Sequence, residues 1–394
     1  MRTLTSVAVA LILCVSACVS IRSALTLNGD FLGQRLETPV DAPIASYYVE
    51  SYLAGVRKNI AWDAALDAIH HSLGERIPSA NELREWSSRY STDLAALVLA
   101  RQLLRQADGH PFNRLFRAEV SSALSAERRG ELDTFVIDPE FLILFVPGWL
   151  YKTDPETGAD FARFRTLLAR HRARVTLADV GENLSVEENA KLLEMQIRDL
   201  AATGQRIILV SGSKGGPEVA VALSNLCADP ASRHVKAWVN IGGLLKGTPL
   251  ADLGTTWPVS WFAYLWVLPD HSFAGLRSLS TTRSSARLGD LKLPPGVTVV
   301  NYVGIPLSGQ VSDQARRGYR QLVSEGPNDG LTYVVDAIAP SGVTIPELGA
   351  DHYFHNPDIE IKTLALARAL TQYVRQPGTP ALRAGAQQAR CEAE

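Results

Sequence analysis

The stretch Arg206-Ile207-Ile208-Leu209-Val210-Ser211-Gly212-Ser213-Lys214-Gly215-Gly216 decides how the rest of the chain is read. The apolar run Ile207 to Val210 passes into small residues, and a helical pattern follows from about Pro217 to Ala228. A serine in a tight strand-to-helix turn, with small residues two places away on either side, has the form of a nucleophile elbow, because bulk there would collide with the strained turn. Ser213 holds the central position. A phosphate-binding loop is a second reading of so much Gly, Ser and Lys, but the G-K-[ST] ending that seats a nucleotide and its metal is missing. A plain turn whose serine caps the helix is a third. The surroundings of the stretch separate these readings.

From about Thr134 onward, short apolar runs alternate with helical stretches. The runs are Phe141 to Tyr151, Arg174 to Val180, Arg206 to Val210, Val235 to Gly243, Val297 to Val303 and Val343 to Ile345. Helices are expected near Phe161 to His171, from Val186 to Ala202 and from about Ile359 to Val374. Such alternation predicts an α/β fold with a parallel sheet covered on both faces, whose site lies at the carboxyl ends of the strands.

Two late loops supply partners for Ser213. Asp329 sits in the turn Pro327-Asn328-Asp329-Gly330, and His352 follows the last strand in Gly349-Ala350-Asp351-His352. A serine hydroxyl needs a base of near-neutral pKa, and the imidazole needs a carboxylate to set its tautomer and stabilise its charged form. His355 is an alternative base but lies farther from the strand end; Asp313 and Asp336 are alternative acids, and Asp351 is read as orienting the loop. His70, His71, His110, His171, His234 and His271 are read as surface or capping residues. No pair has the H-E-x-x-H spacing, so no metal is expected. The backbone N–H of Lys214, and one from the loop after Val146-Pro147-Gly148-Trp149, can donate to an oxyanion.

Upstream, from about Ser46 to Ala126, the pattern is helical. Trp62, Leu66, Ile69 and Leu73 recur at helical spacing, Ser79-Ala80-Asn81-Glu82 is a capping box, and a further helix starts near Thr92-Asp93. The chain begins with a basic residue at Arg2 and an apolar run from Val7 to Val15. That is a secretory signal, too short for the roughly 20 residues of a spanning helix. Val15-Ser16-Ala17-Cys18 resembles a lipobox, in which cleavage leaves a lipid-bearing cysteine at Cys18; ordinary cleavage with a soluble product, or a buried helix, are the rival readings. The organisation expected is therefore a signal over residues 1–17, a helical region over 18–133, an α/β domain over 134–376 and a mobile tail over 377–394. The 394 residues are 46% hydrophobic and 20% charged, with 39 basic against 41 acidic side chains, which leaves no field to hold a nucleic acid. Four cysteines, Cys14, Cys18, Cys227 and Cys391, are too few for a disulfide scaffold, so packing alone is expected to hold the fold.

Between about Phe141 and Val374 the chain resembles the α/β-hydrolases, and within that fold is similar to bacterial lipases and esterases. The motifs that carry the resemblance are VPGWLY, VSGSKGG, NIGGLLKGTPLADLG, PNDGL and GADHYF. The resemblance implies Ser213 as nucleophile, Asp329 as acid, His352 as base, and Trp149 and Lys214 as backbone oxyanion donors, with no cofactor. It implies a serine hydrolase that cleaves carboxylic esters through an acyl-enzyme, on a small-molecule or lipid ester. Pro147 stands where such lipases commonly have histidine, Ser211 replaces glycine, and a long insertion precedes Asp329. A cap is expected over about 247–295, where Trp257, Trp261, Phe262, Tyr264 and Trp266 could line an acyl pocket, pack on the sheet or meet a membrane. The rival from another class is a non-catalytic envelope lipoprotein that uses the scaffold to bind a partner.

Overall fold

The computed structural model describes residues 25–255, 274–289, 291–340 and 342–376. Its centre is a parallel six-stranded sheet of β3 (Phe141–Val146), β4 (Arg174–Leu177), β5 (Arg206–Gly212), β6 (Val235–Ile241), β7 (Thr298–Ile305) and β8 (Val343–Leu348), in the spatial order β4-β3-β5-β6-β7-β8. All six residues of β3 and all eight of β7 are buried, the continuous apolar texture of strands covered on both sides. Every strand and helix expected from the alternation is present.

The two faces bury separate sets of side chains. Ile143, Phe145, Ile208, Val210, Val239 and Tyr302 face the helices Pro111–Arg128, Ala162–Arg170 and Ile359–Arg375. Leu144, Val146, Ile207, Leu209 and Trp238 face the helices Val186–Ala202 and Gly215–Asn225. The helix Val186–Ala202 begins with a capping box in which Ser185 and Glu188 satisfy each other's backbone groups.

The region before the sheet differs from the expectation at one point. Leu25–Phe31 and Gln34–Val40 form an antiparallel hairpin, β1 and β2, so residues 18–133 are not helical throughout. The hairpin buries Leu27, Phe31, Leu36 and Val40 in strict alternation, which is the period-two signal of a half-buried strand pair. The helices Ile60–Leu73, Ala80–Arg89 and Thr92–Asp108 follow, with the capping box at Ser79 as expected. Their buried faces share a cluster with Val303, Ile305 and Leu348 of β7 and β8. This region therefore covers the end of the sheet that carries the last two strands.

A buried polar junction ties it there. Asp93 accepts hydrogen bonds from Ser308 N at 2.8 Å, Ser308 Oγ at 2.6 Å and Asp41 N at 2.7 Å, while Asp41 accepts from Ser91 Oγ and from Thr92 N at 2.9 Å. Burial, reinforced by the Asp41 charge, pushes the Asp93 carboxyl up to about 7 against the opposing hydrogen bonds from Ser308. An unfolded aspartate titrates near about 3.9, so the folded chain holds an extra proton between those values and loses stability as the pH rises through that window. Asp93→Asn is expected to flatten this slope. Urea unfolding at pH 5 and pH 8 checks it: the wild type should lose more stability than the variant, and equal losses would refute the assignment.

Cys227 is disulfide-bonded, which corrects the expectation that packing alone holds the fold. The other cysteines lie outside the described residues, as do the signal segment with Cys18, the aromatic stretch from Trp257 to Trp266, and the tail. Of the expected cap, the helices Pro249–Thr255, Ala274–Ser278 and Thr281–Gly289 are described. Among the described residues, no helix is long and apolar enough to cross a membrane.

Candidate active site

β5 delivers Ser213 to the carboxyl edge of the sheet and the helix Gly215–Asn225 leaves directly afterward. Ser213 has φ +50°, a left-handed conformation that non-glycine residues adopt at a cost of roughly 1–3 kcal/mol. The turn is locked by Ser213 N donating to Ile241 O at 3.3 Å, and by Gly216 N and Leu244 N donating to Ser213 O at 3.1 and 3.0 Å. Gly215 is required by space: a Cβ there would stand 2.5 Å from Val146 O.

Ser211, the departure from the usual glycine, is explained by its place within the strand. It is fully buried, and its hydroxyl accepts the indole N–H of Trp238 at 2.8 Å. Trp238 would otherwise bury an unpaired donor, which typically costs about 1–3 kcal/mol.

The two late loops bring Asp329 and His352 together. His352 Nδ1 lies 2.7 Å from Asp329 Oδ2. The other carboxylate oxygen accepts the backbone N–H groups of Leu331 at 2.9 Å and Thr332 at 2.8 Å, and His352 N donates to Asp329 O at 2.9 Å. The carboxylate is thus aimed by its own turn. Burial, the largest influence on His352, pushes its pKa down, but the Asp329 charge and hydrogen bond, with the charge of Asp351, outweigh it and raise the imidazole above its usual value. Gly242, at φ +51°, passes beneath the pair: a Cβ there would lie 3.5 Å from both Asp329 Oδ2 and His352 Nδ1. Because Gly242 follows Ile241, whose carbonyl holds Ser213, the serine and the pair are anchored to the same strand end.

Ser213 and His352 line one cavity of about 720 Å³, together with Gly148 and Trp149. Its size is within the range of about 300–1,000 Å³ usual for ligand sites. No hydrogen bond joins the two residues among the described interactions. The backbone N–H groups of Trp149 and Lys214 have no acceptor among the described residues. Gly148 approaches closely enough that a Cβ would be 3.3 Å from Ser213 Cβ, which puts the loop after β3 beside the elbow.

The competing residues are engaged elsewhere. Exposed His355 meets Gln314 at 3.3 Å, Asp313 pairs with Arg316, and Asp336 pairs with Lys246 at 3.0 Å. Asp351 accepts Ser312 N and Tyr353 N at 2.8 and 3.0 Å, so it orders the histidine loop as expected. His171 and His234 bind backbone carbonyls, and His110 caps a helix.

One feature has no forewarning in the sequence. The Lys214 side chain does not reach solvent; it is 2% exposed and pairs with Glu218, one helical turn on, whose carboxylate also accepts Asn189 Nδ2 at 2.7 Å. Burial pushes the Glu218 pKa up, opposed by Lys214. Asn189 in turn binds both the N–H and the C=O of Gly181 at 2.8 Å, so the elbow is clamped to the loop after β4. Removing one partner of such a buried pair typically costs about 3–5 kcal/mol. An i, i+4 Lys and Glu pair reads from sequence as an ordinary surface pair; only burial reveals it.

No family model and no curated protein matches the chain. Among solved structures it is similar to a metagenomic carboxyl esterase at 24% identity, over 61% of this chain and 76% of that one, with a TM-score of 0.49. It is similar to a mature Bacillus licheniformis lipase at 21% identity over 58% and 94% of the two chains (TM-score 0.47), and to Staphylococcus hyicus lipase at 13% over 60% and 94% (TM-score 0.44). A parallel sheet in this order, with a serine elbow after β5, an acidic turn beyond β7 and a histidine loop beyond β8, is the architecture of the α/β-hydrolases, and this chain has that fold.

Proposed function

We propose that the protein is a serine hydrolase that cleaves carboxylic esters through an acyl-enzyme. The observation that carries this reading is the Asp329–His352 hydrogen bond, opening into the cavity where Ser213 stands in its left-handed turn. Ser213 Oγ attacks the ester carbonyl while His352 Nε2 takes its proton, and the tetrahedral oxyanion is held by the N–H groups of Trp149 and Lys214. Each such donor is typically worth about 2.7–4 kcal/mol of barrier. His352 then gives the proton to the departing alcohol. A water molecule, deprotonated by His352, attacks the acyl carbon, and the proton returns to Ser213 Oγ as the acid leaves.

The direct test is covalent labelling by a fluorophosphonate, in which Ser213 Oγ displaces fluoride at phosphorus. The wild type should be labelled and Ser213→Ala should not. A folded wild type that resists labelling would favour the non-catalytic envelope lipoprotein instead.

Residues 15–18 further support export with lipid attached at Cys18, which would hold the enzyme at a bacterial membrane. Cys18→Ser is expected to move the protein from the membrane fraction to the soluble fraction of cells that produce it. An unchanged membrane fraction would sink the attachment.

A further inference from the structure

The cavity continues below Ser213, between the sheet and the helices Ala162–Arg170 and Ile359–Arg375. The strand register fixes its course. Gly212, Ile241 and Tyr302 stand side by side at the level of the turn, Phe145 and Val210 one step down the same face, and Ile143 and Ile208 one step further. All of these line the cavity. Gly212 to Ile208 spans about 13 Å of strand.

The opposite wall matches that depth. Ile359, Lys362, Thr363, Leu366, Ala367 and Leu370 line the cavity at the i, i+3, i+4, i+7 spacing of one helix face. From Ile359 to Leu370 the helix rises about 16 Å. Midway down, Val210 and Ala367 keep 9% of their surface exposed, the most among the buried residues that line the passage. Phe141 and Tyr373, the next residues on the same faces of β3 and of the helix, are packed in the core and do not line the cavity, so the passage ends at Ile143, Ile208 and Leu370.

Its walls offer hydrocarbon and little else. Tyr302 donates to Glu347 at 2.6 Å and Lys362 pairs with Glu347 and with Asp358 at 2.8 Å, so the polar groups that border it satisfy one another. At its neck the Phe161 ring lies over Gly212, where a Cβ would come within 2.7 Å of the ring. Phe161 is itself held at φ +57°, with its ring 5.3 Å from that of Phe145. Away from the passage the lining mixes exposed Arg317 and half-buried Tyr353 with Leu250, Leu276 and Leu331.

We propose, resting on the hydrolase reading above, that this closed channel takes the acyl chain of the substrate. The substrate class is then an ester of an unbranched fatty acid of about ten to twelve carbons, since an extended chain of about 1.5 Å bonds advances about 1.3 Å per carbon. Ala367 sets the width midway and Leu370 the floor. Binding should grow by about fourfold per added methylene, at about 0.8 kcal/mol each, until the floor is met.

Displacement of a fluorescent fatty acid from the full chain by free straight-chain acids of four to sixteen carbons tests this without requiring turnover. Affinity in the wild type should climb with chain length and level off near the predicted limit. Ala367→Leu, which fills the middle, should move the plateau at least two carbons shorter; Leu370→Ala, which opens the floor, should move it longer. Thermal unfolding certifies that each variant is folded, and if one is not, the other and the wild-type series still decide. Affinity independent of chain length, or a plateau unmoved by a folded variant, overturns the channel. Ester hydrolysis that persists in that case leaves the hydrolase reading standing. A chain-length plateau in a protein that turns over no ester removes the hydrolase reading and keeps the channel.

Discussion

Replacing Ser213 by alanine is expected to lower kcat on a p-nitrophenyl ester by about 10⁶-fold, the scale on which losing the nucleophile of such a triad acts. KM should change little, because the cavity walls and the two backbone donors remain in place. The fold should also survive: alanine meets the same positive φ as serine, and the hydrogen bonds that lock the turn run through the backbone of residue 213. Rates measured across an ester series, on protein whose unfolding temperature matches the wild type, check this. A variant that keeps activity within tenfold of the wild type would remove Ser213 from the mechanism.

The second large effect concerns Asp329. Asp329→Asn preserves an oxygen to accept the N–H groups of Leu331 and Thr332, so the turn should hold. The amide then faces His352 Nδ1 with a donor, and the neutral imidazole must place its proton on Nε2, where Ser213 needs an acceptor. A loss of about 10⁴-fold in kcat is expected. The pH profile adds a separate sign. His352 works as a base only when neutral, so activity in the wild type rises as the pH climbs through its pKa, which Asp329 and Asp351 hold above the usual imidazole value against burial. Without the Asp329 carboxylate the influence of burial gains, and the acid limb of kcat/KM should move to lower pH. A loss under tenfold, or an acid limb that does not move, would point to another acid.

The N-terminal hairpin illustrates why part of the architecture was not legible. Leu27, Phe31, Leu36 and Val40 alternate correctly for strands, but the segment is short, and what makes it ordered is burial against residues far along the chain. Asp93 likewise reads as a residue of the first helical turn until Ser308, 215 positions away, is seen to hold it. Phe161 gave no signal at all, because its role comes from contact with a glycine on a neighbouring strand.

The alternating strands and helices, the elbow at Ser213, and the order of serine, acid and histidine are legible in the residues alone. These are local properties: the periodicity of apolar residues and the conformational demands of tight turns operate over a few neighbours. The folded arrangement of the late loops is what brings Asp329, among several acids, to His352. Tertiary packing alone decides that Ser211 is stabilised by Trp238, that Lys214 is buried with Glu218, and that the cavity descends beside Ala367 to a floor at Leu370. Those depend on distances between residues remote in the chain, set by the register of parallel strands and the packing of helices across them, and burial then determines what each charge or hydroxyl can do.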